Sequence, residues 1–237
     1  NQPQVTKSNY IGIFLVALST LMYEILLTRI FSVTMGYHFA FMAVSLAMFG
    51  MTVGAIIVYI FPHKFPQEKI NTILTRQALY FSLATILSFL IHLFIPFIHG
   101  MSLFGMAVTA FTYAEISVPF VFSGICISLL LTRFPKSVNK LYAADLIGAS
   151  LGCILFVVVL NVSGGPTGVF ITALFSAAAA YFFNRNSELK TSIGKGIAVF
   201  SLVILVFAVF HTVLVQKHEP LLRLFWVRGE WAEKPLY

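Results

Sequence analysis

Charge is scarce in this chain. Only 10% of its 237 residues are Asp, Glu, Lys or Arg, and only eight are acidic. A soluble domain carries about 25% charged residues. A water-soluble globule of this length would have too little charge to cover its surface, so that class is excluded. Cysteine is nearly absent. Cys126 and Cys153 both fall in apolar stretches, with no C-x-x-C and no zinc-type spacing, and read as small core residues. There is no G-x-G-x-x-G, no Walker loop and no H-E-x-x-H, and no nucleophile–base pair stands out. No catalytic residue and no metal ligand is assigned. No cleavable leader is evident, and the chain begins with Asn1, so it reads as trimmed or as a fragment.

What is present is apolar. Hydrophobic residues make up 59%, mean hydropathy is +0.94, and the 25 Phe suit lipid-facing helices. The net charge of +7 does not point to nucleic acid. Lys and Arg sit in short clusters between apolar runs, as in membrane proteins that fix their orientation. Anionic lipid headgroups are the expected counter-charge.

The apolar runs predict spans over 10–32, 37–61, 77–99, 104–132, 141–161, 166–183 and 196–216. Each is near or above the roughly 20 residues needed to cross a bilayer. The expected fold is all-α, a polytopic bundle of about seven spans over 1–216. Span four is expected to open with a re-entrant or interfacial piece, Leu103 to Phe111, and to kink at Pro119.

The connections alternate. Residues 62–76, 133–140 and 184–195 are basic, carrying Lys64, Lys69, Arg76, Arg133, Lys136, Lys140, Arg185, Lys190 and Lys195. Those around His99–Met101 and Val162–Gly165 carry no Lys or Arg. The positive-inside rule makes the basic face cytoplasmic and places the C-terminus across the membrane. Ser163-Gly164-Gly165-Pro166 reads as a tight turn. Residues 217–237, with Arg223, Trp226, Arg228, Glu230, Trp231 and Pro235, read as an amphipathic tail or a linker to a further domain.

Three acids lie inside apolar stretches: Glu24, Glu115 and Asp145. A charge at the bilayer centre costs roughly 2.5–3.5 kcal/mol on insertion scales, so such groups are paired, solvated or functional. Glu24 and Arg29 are about 140° apart around a helix, so each looks for a partner elsewhere. They are either one side of an interhelical ion pair or a ligand or proton site. His38, in a stripe with Met42, Ser45 and Phe49, is either structural or a proton relay. Glu115, Pro119 and Ser123 share a face. Pro119 frees a carbonyl, which suits either a packing kink or a cavity beside the carboxylate. Tyr142, Asp145, Gly148 and Gly152 lie on one side of span five. The small residues there invite close backbone approach, with Gly50 and Gly54 as a plausible partner face and Asp145 paired within it. The alternation puts Glu24, Arg29, His38 and Glu115 toward the membrane face that the tail leaves from, and Asp145 toward the other.

These segments together resemble a family, the bacterial fused major-facilitator/spermidine synthase membrane proteins. The resemblance is carried by Glu24 through Arg29, by Tyr37-His38-Phe39-Ala40-Phe41 into Ser45-Leu46-Ala47, by Pro119-Phe120 with Ser123-Gly124, and by Leu141 through Ala149 around Asp145. It covers most of 15–160. Lys234-Pro235-Leu236-Tyr237 looks like the junction to that family's catalytic domain.

The resemblance implies a bacterial cytoplasmic membrane location. It also implies a following spermidine-synthase-like domain that binds an S-adenosylmethionine-type nucleoside and transfers an aminopropyl or methyl group. None of that domain's motifs is in this chain, and no cofactor is expected in this segment. The expected partners are the bilayer, the fused catalytic domain and a second copy of the chain. The first functional expectation is a membrane domain that anchors such a transferase and delivers a hydrophobic or cationic substrate, polyamine or lipid amine, to it. The alternatives are a stand-alone small-molecule or proton-coupled transporter using the membrane carboxylates, and an assembly module.

Overall fold

The computed structural model describes residues 5–95, 102–187, 191–227 and 230–231. The connection at His99–Met101, Lys190, Arg228, Pro235 and the 234–237 junction lie outside the described residues. Backbone polar groups cannot reach water inside a bilayer, so an apolar run of this length settles as a helix. Among the described residues, six helices are long and apolar enough to cross a membrane. They are α1 (Lys7–Thr34), α2 (Tyr37–Ile60), α3 (Ile70–Phe94), α4 (Leu103–Arg133), α5 (Val138–Asn184) and α6 (Thr191–Gln216). The chain is a multi-pass helical membrane protein.

The fifth helix is two spans. A straight helix of its 47 residues would be about 70 Å long, over twice the hydrocarbon thickness. Its backbone leaves helical geometry at Gly164, where φ is 74° and ψ is 173°. This left-handed region favours glycine. The contacts with α1 reveal a reversal. Gly148 and then Gly152 meet Phe14 and then Leu18, so the first arm (138–163) runs parallel to α1. Gly168, Thr172 and Phe183 meet Leu26, Ser19 and Gly12, so the second arm (165–184) runs antiparallel. The bundle thus has seven crossings, and the turn expected at 163–166 is where the chain reverses.

α1 is central. It packs against both arms of α5, α2 and α4, and 61% of its apolar window is buried, against 33% for α2 and 22% for α6. Two seams of small residues set the closest approaches. Gly50 and Gly54 of α2 lie against the α4 backbone at Ser117, Val121 and Ile125, and Gly124 of α4 lies against Met51. Gly148 and Gly152 lie against α1. The sequence-based pairing of these two stripes with each other is therefore wrong. Small-xxx-small spacing makes a surface that any neighbouring backbone can approach, and does not choose the neighbour.

Two expectations about α3 and α4 also change. α3 begins at Ile70, seven residues before the apolar run suggests. Its polar first turns are held by Asn9 Nδ2 donating to Asn71 Oδ1 at 3.1 Å and by Thr75 bonding back to the Asn71 carbonyl at 2.8 Å. α4 has no re-entrant piece. It starts at Leu103, capped by Ser102 Oγ accepting from the Gly105 N–H at 3.0 Å, and runs on through Pro119. Proline removes the hydrogen bond to the carbonyl four residues earlier, here that of Glu115. Ser88 of α3 supplies the missing donor, with its hydroxyl 2.9 Å from that carbonyl oxygen.

The tail folds back on the bundle. Leu224 is buried, Phe225 stacks on Phe94 at the end of α3, and β1 (Trp226–Val227) pairs antiparallel with β2 (Glu230–Trp231). Arg223 sits over the Phe225 ring at 5.6 Å.

Candidate functional site

Among the described residues, Glu115 is the one acid with both carboxylate oxygens buried and unpartnered. From α1, the fully buried Tyr23 stacks on Phe120 with ring centroids 5.3 Å apart, and its hydroxyl also lacks a partner. The Glu115 charge is close enough to act on that phenol. Most buried polar atoms in proteins are bonded, so three orphaned oxygens in one region call for an explanation.

On its other side, Glu115 forms part of the wall of a groove between α3 and α4. The groove holds about 390 Å³ and is otherwise lined by residues such as Tyr80, Leu87, Ile91, Val118 and Phe122. Leu87, Ile91 and Val118 are exposed on the bundle's flank, so the groove opens sideways, toward lipid. Its surface is apolar, and the Glu115 oxygens turn away from it toward the interior.

Two histidines stand nearer the tail. His92 of α3 is buried; its Nδ1 has no partner and its Nε2 is 3.4 Å from Thr34 Oγ1. His211 of α6 is buried and fully used. Its Nε2 accepts the Leu222 N–H at 2.9 Å, so Nδ1 carries the ring proton and donates to Thr167 Oγ1 at 2.6 Å. That side chain ties the tail to the second arm of α5.

The expected site residues do not converge. Glu24, Arg29, His38 and Glu115 do lie in the half of the bundle nearer the tail, as the alternation requires. No hydrogen bond or ion pair joins any two of them. The reason is helical geometry. With Tyr23 turned to the core, its neighbour Glu24 is rotated about 100° away and is only half-buried. Arg29 is exposed near the helix end, where its length lets it reach the headgroups. His38 is exposed, its ring tilted 39° against that of Tyr37 with centroids 3.7 Å apart, and most of its stripe faces outward.

In the other half, Tyr142 is exposed and Asp145 is half-buried. Asp145 is not fully paired within its seam, since Oδ1 is buried without a partner. Pro119 and Ser123 are buried, and Ser123 meets the Thr20 hydroxyl of α1. Among the described residues, no group of three or more His, Cys, Asp or Glu could hold a metal.

Tyr23, His92 and His211 were not expected from the sequence. A signal for His92 exists. Ser82, Thr85, Ser88 and His92 recur at three- to four-residue spacing in an apolar span, and all four are buried. That marks the protein-facing side of α3.

The fold and this site define a polytopic helical membrane protein with an orphaned interior carboxyl group. No family model, curated protein or solved structure matches the chain.

Proposed function

We propose that this chain is the membrane domain of a spermidine-synthase-like transferase, and that it holds a lipid-side substrate site. In this reading the domain lies in a bacterial cytoplasmic membrane. A following domain binds an S-adenosylmethionine-type nucleoside and transfers an aminopropyl or methyl group. The family resemblance over 15–160 supports the transferase part.

One observation carries the substrate part: the α3–α4 groove opens toward lipid and has a single acidic residue, Glu115, in its wall. An apolar groove takes a hydrocarbon chain. A carboxylate swung into it neutralises a cationic head, and a charge pair in a low-dielectric site is worth far more than one in water. The fitting substrate is an amine on a hydrocarbon chain.

A dansylated alkylamine titrated into the protein in nanodiscs tests this. Saturable binding should weaken in Glu115→Gln and be lost when Leu87→Trp fills the groove. Binding unaffected by Leu87→Trp would sink the assignment of the groove.

A second reading rests on the orphaned Tyr23 hydroxyl and Glu115 oxygens. In it, Glu115 takes up and releases a proton, as acids in membrane transporters do. Proton-driven amine uptake into proteoliposomes should then vanish in Glu115→Gln while the folded protein is retained.

A further inference from the structure

His92 is a buried polar residue outside the groove, its ring packed against Phe31 of α1 with centroids 5.4 Å apart. It is only 5% exposed, its Nδ1 is orphaned, and the contact of its Nε2 with Thr34 is long for a hydrogen bond. Beside it lies a cavity of about 10 Å³, lined by Thr34, Thr109 and Thr112 and closed by Leu224, Phe225 and Trp226 of the tail. That is room for about one water. The three threonine hydroxyls donate to the carbonyls of Ile30, Gly105 and Val108, so each still has lone pairs to offer. A small cavity that offers three threonine hydroxyls and an orphaned imidazole among apolar walls suits one bound water.

Its position relative to Glu115 is fixed on two helices at once. On α3, Ser88 holds the Glu115 carbonyl, and His92 is four residues further on. On α4, Thr112 lines the cavity three residues before Glu115. Thr112 and Glu115 therefore stand nearly one helical turn apart on the same side of α4, roughly 4.5 Å of rise.

We propose that His92 and this hydrated cavity form a proton relay from the tail face of the membrane to Glu115. The relay rests on the second reading above, in which Glu115 exchanges a proton. A proton from tail-side water is taken by the neutral His92 ring, which becomes imidazolium. The ring passes it on to the Glu115 carboxylate, which becomes the neutral acid, and the ring is neutral again. Charge balances, because the incoming positive charge cancels the carboxylate.

Of the titratable and charged groups around the path among the described residues, α1 contributes Tyr23, α3 His92, and α4 Tyr113 and Glu115. The tail contributes Arg223, engaged over Phe225. α6 adds His211, whose two nitrogens are taken up by Thr167 and Leu222. The tail acts as the roof of the relay, pinned through His211.

Infrared spectroscopy of the full chain in liposomes tests this by hydrogen–deuterium exchange. A protonated carboxylic C=O band that disappears in Glu115→Gln identifies Glu115, and its shift after transfer to D₂O times the arrival of deuterons. His92→Leu and Thr112→Val should each slow that shift roughly 100-fold, the low end for loss of a positioned proton-transfer group. Trp226→Ala, which loosens the roof, should speed it. Exchange at the wild-type rate in both slowed variants would overturn the relay, and so would the absence of any Glu115 band. If His92→Leu fails to fold, His92→Gln with Thr112→Val decides by the same readout. Alkylamine binding measured on the same samples separates the two ideas: binding kept with unchanged exchange removes the relay and leaves the groove standing.

Discussion

At the basic-loop end of the bundle, one cluster of polar side chains completes itself; around Tyr23, Glu115 and His92, nearer the tail, the polar side chains do not. Thr6 donates to Asn9 at 2.6 Å, Asn9 to Asn71 at 3.1 Å, and Asn186 to Thr6 at 2.6 Å, which ties together α1, α3 and the loop after α5. Gln67 closes a neighbouring loop by donating to the Arg133 carbonyl at 2.9 Å. Toward the tail, Tyr23, His92 and Glu115 bring four polar atoms into the interior with no partner for any of them. Asp145 and Gln77 leave one unpaired oxygen each in the other half. Satisfied polar groups at an edge hold helices in register. Unsatisfied ones in the interior cost stability and are kept for another reason, which is the contrast expected between structure and function.

Variants can break this contrast, and unfolding in a single detergent ranks them. The largest loss belongs to neither region. Gly148→Leu pushes a side chain into the Phe14 backbone and should cost about 3 kcal/mol or more, or prevent assembly, because the α1–α5 seam carries both ends. A monodisperse Gly148→Leu protein of wild-type stability would contradict the seam. Next, Asn9→Leu takes the donor from Asn71 and the acceptor from Thr6 and should cost about 2 kcal/mol.

Ser88→Ala leaves the Glu115 carbonyl without its donor and should cost about 1 kcal/mol, with α4 bending more at Pro119. A spin-label distance across α4 reads the bend. The smallest change has the opposite sign. Tyr23→Phe deletes an unpaired hydroxyl and should leave stability unchanged or raise it by up to about 1 kcal/mol. A clear loss in Tyr23→Phe would mean that the hydroxyl is engaged, and the contrast would fail there.

Much of the scaffold was legible because it is written one residue at a time. Hydropathy gave the spans, loop character gave their alternation, and Ser163-Gly164-Gly165-Pro166 gave the reversal that a hydrogen-bond pattern alone joins into one helix. The sequence could not say which helix each small-residue seam meets, since glycine stripes are interchangeable as surfaces. It also misdirected the site. Glu24, Arg29 and His38 stand out as letters, yet they face outward or are only half-buried. Tyr23 and His92 look like ordinary members of apolar runs. Their importance lies in what fails to meet them, which is a property of three dimensions.

The turn at Gly164 has a topological consequence. Without it the chain would cross the membrane an even number of times, and α1 would start on the same side from which α6 ends. With it, the count is odd. A single glycine conformation therefore acts as a parity bit, deciding which compartment receives everything beyond α6, the tail roof over His92 included.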